Sequence, residues 1–527
     1  MNTLSKLIFL LLLMSAAACT DLDLVPQDRA DPNTILSDEE NYEPFLARLY
    51  AGLAITGQLG PGCDPCAPDI SSIDEGFGNY LRQFFQLQEF PTETSVIGWD
   101  DGSIRDLHEQ SWTSNNEFVR AMYYRIFFQV SQANEFLRET TQDKLTERGI
   151  RESFWSVVDG FRAEARFLRA LSYWHAIDFF GDVIFYTEED EIGSEPPVER
   201  SRADVFQFIV DELAAIESII PAPSAQEYGR VDKAAVWMLQ AKLFQNAQVY
   251  VGRDLNAEAI TALEKVLDTE NYQLEETYQN LFLTDNNLSA EMIWTIPFDG
   301  DNTQGFGGMT YLTHAPVGGA MDPADFGING GWGGIRTTPE MVDLFPGGAN
   351  SADSRALFFT EGQNLEIGED VDIFENGYGL PKFRNVSSEG VPGVDGRYAD
   401  TDFPVFRLGD AYLMYAESVV RGGGGSRDRA VQLVNALLER AYGSSAQNIT
   451  DADLTLPFIL EERGRELYFE CHRRTDRIRF GEFSNNGVWS WKGGTPAGST
   501  TEAFRDLYPI PASELLANPN LSQNTGY

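Results

Sequence analysis

Two blocks of helical apolar spacing, separated by a long glycine-rich stretch, constrain this chain more than any other feature. Between 161 and 178, Phe167, Ala170, Leu171, Trp174 and Ile177 fall at i, i+3, i+4, i+7 and i+10, which places them on one helix face. Ala235, Met238, Leu239 and Leu243 repeat the stripe on a helix that begins near Val231. This spacing holds over about 115–271. It returns at Leu408, Ala411, Tyr412, Tyr415 and Val419, from Arg427 to Ala441, and from Pro457 to about Arg474, giving a second block over about 408–480. In between, 301–400 holds 19 of the 47 glycines, and turn signals such as Phe345-Pro346-Gly347-Gly348 mark 272–407 as a loop-rich insertion. The run Gly422 to Gly425 has no strand before it and reads as a helix-to-helix connection rather than a phosphate cradle. The expected fold is all-α, built from tetratricopeptide-like helix pairs, although no clean 34-residue repeat is visible. Because the helical blocks flank the insertion, residues 19–527 are expected to form a single domain.

The N-terminus reads as an export signal. Lys6 precedes the apolar run Leu7 to Met14, and Ser15-Ala16-Ala17-Ala18 stand directly before Cys19. The run is shorter than the ~20 residues a membrane-spanning helix needs. Small residues ending in Cys resemble the bacterial lipobox, with Ala16 where Leu is usual. Residues 1–18 are then a lipoprotein signal peptide and Cys19 the acylated first residue, the other reading being ordinary signal cleavage nearby. Thr20 to Pro26 would be the leash from lipid to fold, so contact with the membrane would be through the lipid anchor only.

Charge and motif content exclude several classes. The chain carries 81 Asp plus Glu against 39 Lys plus Arg, a formal charge of −42, and such a surface repels nucleic acid and anionic lipid and favours a neutral ligand. The four histidines, His108, His175, His314 and His472, include no i, i+4 pair, so no built-in metal site is expected. Carboxylates such as Asp299 and Asp301 lack a full calcium-loop motif. Neither a phosphate loop nor a G-x-S-x-G elbow is present, so no catalytic residue and no cofactor is assigned. Cys63 and Cys66, in a Gly/Pro-rich loop, read as a loop-stapling disulfide or free thiols, and Cys471 as a small buried residue within a helix.

Several segments resemble the SusD/RagB family of outer-membrane glycan-binding lipoproteins. They are Ala165-Arg166-Phe167-Leu168-Arg169-Ala170-Leu171 with Phe180-Gly181-Asp182, Gly229-Arg230-Val231-Asp232-Lys233-Ala234-Ala235, and Glu291-Met292-Ile293-Trp294. The C-terminal third adds Arg407 to Glu417, Glu461-Glu462-Arg463-Gly464-Arg465-Glu466-Leu467 with Arg473, Arg474 and Asp476, then Pro509-Ile510-Pro511 and Gln523 to Tyr527. Ile184, Thr525 and Cys471 depart from residues common in the family. Most of these motif residues read as scaffold: Glu461, Glu462, Arg463, Arg465 and Glu466 stand at spacings that allow i, i+3 and i+4 ion pairs.

The resemblance implies a non-catalytic protein at the outer face of the outer membrane. It would bind neutral oligosaccharide or polysaccharide and deliver it to a SusC-like TonB-dependent transporter. A glycan site needs flat rings flanked by polar groups. Trp99, Trp332 and Tyr311 are the candidate rings, with Asp74, Arg82 and Asp101 as their polar partners. Trp489 and Trp491 would point to one side if their segment were extended. Rival readings are a peptide- or glycopeptide-binding relative and an (α/α) glycoside hydrolase working through two carboxylates.

Overall fold

The computed structural model describes residues 32–57, 61, 68–71, 73–191, 193 and 195–527. Residues 1–18, Cys19 and the Cys63/Cys66 pair lie outside them. The long helices are α1 (Tyr42–Ala54), α2 (Tyr80–Glu89), α3 (Glu117–Glu139), α4 (Glu152–Phe180), α5 (Arg202–Ile216), α6 (Lys233–Gln245) and α7 (Asn256–Leu267), then the short α8 (Gly308–His314), and α9 (Leu408–Val420), α10 (Arg427–Tyr442), α11 (Leu456–Leu467) and α12 (Arg473–Phe480). Strands are short and pair only in twos: β1 (Val96–Ile97) with β5 (Ile335–Arg336), β2 (Val183–Phe185) with β3 (Val198–Arg200), and β4 (Met292–Ile296) with β6 (Phe403–Arg407). Helices stack as neighbours, α3 on α4, α4 on α5, α6 on α7, α7 on α9 and α9 on α10, around one large core. The all-α expectation holds.

Local chemistry accounts for the helix ends. The Asn116 side chain accepts from the backbone N–H of Phe118 and Val119 and opens α3, while Asp232 does the same for Ala234 and Ala235 at α6. Both apolar stripes are buried. From Phe161 onward α4 is buried on nearly every side, because α1, α3 and α5 all pack against it. Gly422 to Gly425 connect α9 to α10 as expected. A Cβ on Gly423 would stand 2.6 Å from the backbone of Asn256, so only glycine allows α7 to approach.

The structure departs from the sequence reading at four places. Helices α1 and α2 precede the first expected block. All ten residues of α2 are buried: Tyr80, Phe84 and Leu87, with Leu81 and Phe85, keep helical apolar spacing that the sequence reading passed over, and Arg82, Gln83, Gln86, Gln88 and Glu89 face protein as well. The expected helix from Pro457 to Arg474 breaks at Tyr468–His472, where Phe469 and Cys471 adopt positive φ. Cys471 is buried, as expected, but sits in this break with its N–H on the Glu89 carboxylate. Finally, the motif charges are mostly not local pairs. Arg465 does bond Glu462 at 2.9 Å and forms a looser ion pair with Glu461 at 3.6 Å, whereas Arg463 pairs with Asp410 and Asp476, and Glu466 receives Arg355, Arg407 and Arg440. Burial alone would raise Glu466; its three arginines outweigh that and hold it far below the usual carboxylate range. Arg407 also joins Glu291 and Glu470 at 2.7 and 2.6 Å, so one ionic network ties both ends of the irregular segment to α10 and α11. The same ends meet directly in the antiparallel pair β4–β6, with Met292 opposite Arg407 and Ile296 opposite Phe403.

Candidate functional site

The pairing of β1 with β5 builds the site. Val96 lies opposite Arg336 and Ile97 opposite Ile335, and the Gly98 N–H continues the ladder to the Gly334 carbonyl at 2.9 Å. That antiparallel register carries Trp99, just past β1, to Trp332, just before β5. The Trp99 indole N–H donates to the Trp332 carbonyl at 3.2 Å, and the two rings stand 6.4 Å apart at 46°. Both are half-buried. Gly334 has no side chain because Trp99 occupies that space: a Cβ there would fall 2.4 Å from the indole Cε2. Two arginines fix the frame. Arg105 donates to the carbonyls of Gly98 and Trp99 at 2.6 and 2.8 Å, and the fully buried Arg336 donates to those of Gly334, Val371, Ile373 and Asn376.

Beneath the indoles, α8 presents Tyr311 edge-on to Trp99 at 6.0 Å. Tyr311 is fully buried, its hydroxyl accepting from Gln86 and one ring face covered by the Arg82 guanidinium at 4.3 Å. Arg82 also lies 4.6 Å from the Phe77 ring, and its Nε has no hydrogen-bond partner among the described residues. Burial lowers the Arg82 pKa, against the opposing pull of Tyr311, Asp74, Asp101 and Glu75. Asp74 and Asp101 are exposed. Asp74 caps the turn before α2, accepting from Gly76 and Phe77 N–H.

All six residues singled out in the sequence therefore meet in one neighbourhood: two half-buried indoles, two exposed carboxylates, and an Arg82–Tyr311 stack below. Flat apolar faces beside hydrogen-bonding groups suit a ring with C–H faces and hydroxyl edges. The sequence reading missed three neighbours. Phe306 is 38% exposed and stands 6.0 Å from the Tyr398 ring, and the position a Gly76 Cβ would take touches both Phe306 and Arg82. His314 lies 4.8 Å from the Trp332 ring, its Nδ1 2.8 Å from the Thr310 carbonyl. An aromatic amid glycines, as in Gly305-Phe306-Gly307-Gly308, was the available sign for Phe306.

Trp489 and Trp491 are not a paired platform. Their segment turns, with Trp491 at φ 69°, and Trp489 is buried against Phe483 while Trp491 packs near His108. Among the described residues no group of His, Cys, Asp and Glu could hold a metal ion, and no helix is long and apolar enough to cross a membrane.

The model of the SusD family matches residues 354–527. The chain is 32% identical to the starch-binding protein SusD of Bacteroides thetaiotaomicron, over 96% of this chain and 95% of that protein. It is 25% identical to the SusD-like protein P25 of Formosa agariphila, over 99% of each. Among solved structures, a SusD superfamily protein from Parabacteroides distasonis superposes with a TM-score of 0.72 at 21% identity, covering 93% of this chain and 99% of the other. Surface glycan-binding protein A from Bacteroides thetaiotaomicron, solved with laminarihexaose, superposes at 0.68 and 17% identity, over 92% and 99%. Near-full-length identity to the starch-binding protein, the family match over the C-terminal third and the shared helical architecture together establish that this chain belongs to the SusD family.

Proposed function

We propose that this protein binds neutral glycan non-catalytically at the outer face of the outer membrane, held there by a lipid on Cys19. It passes the glycan to a SusC-like TonB-dependent transporter. The residues that hold the ligand are Trp99 and Trp332 as stacking faces, Tyr311 as their support, and Arg82, Asp74 and Asp101 as hydrogen-bonding partners. The observation that carries this reading is the contact between Trp99 and Trp332, half-exposed rings brought together from distant loops beside a buried guanidinium with an unspent donor. A ring pair of this kind supplies weak binding, and a Kd of 1 mM needs only about −4 kcal/mol. Tethering beside a transporter raises the effective concentration, so such affinity is enough.

Starch is the first ligand to test, because the relative at 32% identity is a starch-binding protein. The single domain expected over 19–527 is supported by the continuous core that joins residues from α1 to Ile510. Affinity electrophoresis of the chain from Thr20 to Tyr527 against starch, laminarin, levan, xylan, mannan and alginate tests the proposal. Retardation by a neutral glycan without new reducing ends supports it. Depolymerisation, or retention on peptides alone, overturns it.

A further inference from the structure

A second site lies where none of the aromatic cluster reaches. Leu344, at the end of the short helix Pro339–Asp343, the start of α11 (Leu456, Pro457, Leu460) and Phe480 form the apolar wall of a cavity of about 380 Å3, and Arg421, Arg473, Arg477 and Arg479 line it together with Glu461 and Glu482. Four guanidinium groups around one cavity are unexpected in a chain of net charge −42.

The charge balance behind the wall is incomplete. Glu93 is shared between Arg473 and Arg477, and Glu417 between Arg421 and Arg479. Asp476 is shared between Arg463 and Arg479, and Asp410 between Arg463 and Lys242. Six cations thus share four carboxylates. Arg477 gives Nε and Nη2 to Glu93, which leaves Nη1; Arg421 gives Nε to Glu417 at 2.7 Å and Nη2 to the Arg479 carbonyl at 3.5 Å, which also leaves Nη1. These two side chains are 15% and 21% exposed, whereas Arg473 and Arg479 are 3% exposed. The lining carboxylates, Glu461 and Glu482, are solvent-exposed at the rim, where salt screens them.

We propose that this cavity binds a small organic carboxylate with an apolar body, its anionic head on Arg421 and Arg477 and its body against Leu344, Leu456, Leu460 and Phe480. Guanidinium pairs carboxylate with charge-assisted hydrogen bonds. The apolar wall distinguishes such a ligand from a free inorganic oxyanion. The site is independent of the glycan reading.

Isothermal titration calorimetry of the purified chain in low-chloride Tris buffer, with sodium benzoate and separately with inorganic phosphate, tests it. Benzoate should bind saturably at one site and more tightly than phosphate. Arg421→Gln should weaken benzoate about tenfold. Glu461→Gln should tighten it, a gain that damage to the fold would not produce. Trp99→Ala should leave it unchanged. Arg477→Gln serves as a second variant if its circular dichroism matches the parent. Absence of saturable benzoate binding, tighter phosphate binding, or full benzoate affinity in Arg421→Gln overturns the proposal.

Discussion

The indole N–H of Trp99 donates to the backbone carbonyl of Trp332 across 233 residues of chain. Because the acceptor is main chain, removing either ring has a different structural consequence. Trp332→Ala keeps the carbonyl and so keeps Trp99 in place, whereas Trp99→Ala removes both a stacking face and the bond. Each substitution should weaken glycan binding by about five- to tenfold, the value of roughly 1 kcal/mol per aromatic contact. Trp99→Ala should also lower the melting temperature more than Trp332→Ala. Affinity electrophoresis with thermal melts checks both.

Gly334→Ala perturbs the same site without removing any aromatic. Its methyl would stand 2.4 Å from Trp99 Cε2, so the indole must move. Overpacking of this kind costs about 1–3 kcal/mol. The expected result is a loss of glycan retention close to that of Trp99→Ala, with near-ultraviolet circular dichroism reporting the displaced indole. Retention at the parent level would show that the Trp99 position is not needed for binding.

Arg82 is buried between the Phe77 and Tyr311 rings, and its Nε makes no hydrogen bond among the described residues. Arg82→Met preserves length and apolar contact but removes the charge and the donors. Stability should change little, because Arg82 has no ion pair among the described residues, while glycan affinity should fall by about tenfold through loss of hydrogen bonds to ligand. Calorimetric titration beside denaturant unfolding separates the two effects.

Glu93 makes the fold acid-sensitive. Burial would raise its pKa, but Arg473 and Arg477 bring it down to about 2, below an ordinary value of 4.5. A depressed carboxylate contributes stability that is present above pH 4.5 and is lost as pH falls towards 2, because the unfolded chain then binds the extra proton. That contribution is about 3 kcal/mol. Glu93→Gln should therefore melt well below the parent at pH 7, and the gap should narrow between pH 4.5 and 2. A gap that stayed constant across that window would remove Glu93 from the account.

Gly423→Ala should destabilise by about 1–3 kcal/mol, since its methyl would meet the Asn256 backbone at 2.6 Å and push α7 from the α9–α10 connection. Gly422→Ala, at φ 94° with open space around it, carries backbone strain alone and should cost less. Urea unfolding of the two variants gives the comparison.

Helices whose apolar residues recur at helical spacing within the two blocks were legible. Phe167 to Ile177 and Ala235 to Leu243 put apolar residues at helical spacing, and those segments are α4 and α6. Helix α2 has such spacing too, in Tyr80, Phe84 and Leu87, but it was not legible that its polar side chains find partners inside the protein: Gln86 on Tyr311, Gln88 on Asp178, Glu89 on the Cys471 N–H. Hydrophobic periodicity marks an apolar face and says nothing of where the polar face goes, and in α2 both are buried. Arg463 and Glu466 looked like members of a local ion ladder for a related reason. Spacing shows which charges can meet along one helix, and not that Asp410, Asp476 and Arg407 arrive from elsewhere.

The amino-acid sequence by itself determined the all-α class, the placement of the main helix pairs, and the residue types that could form a glycan surface, because these depend on spacing along a single chain. Tertiary structure alone decided that Trp99 and Trp332 touch, that Tyr311 lies beneath them under Arg82, and that Trp489 is buried instead of displayed. The physical reason is the β1–β5 register. A two-residue pairing leaves almost no trace in local composition, yet it fixes which of nine tryptophans become neighbours.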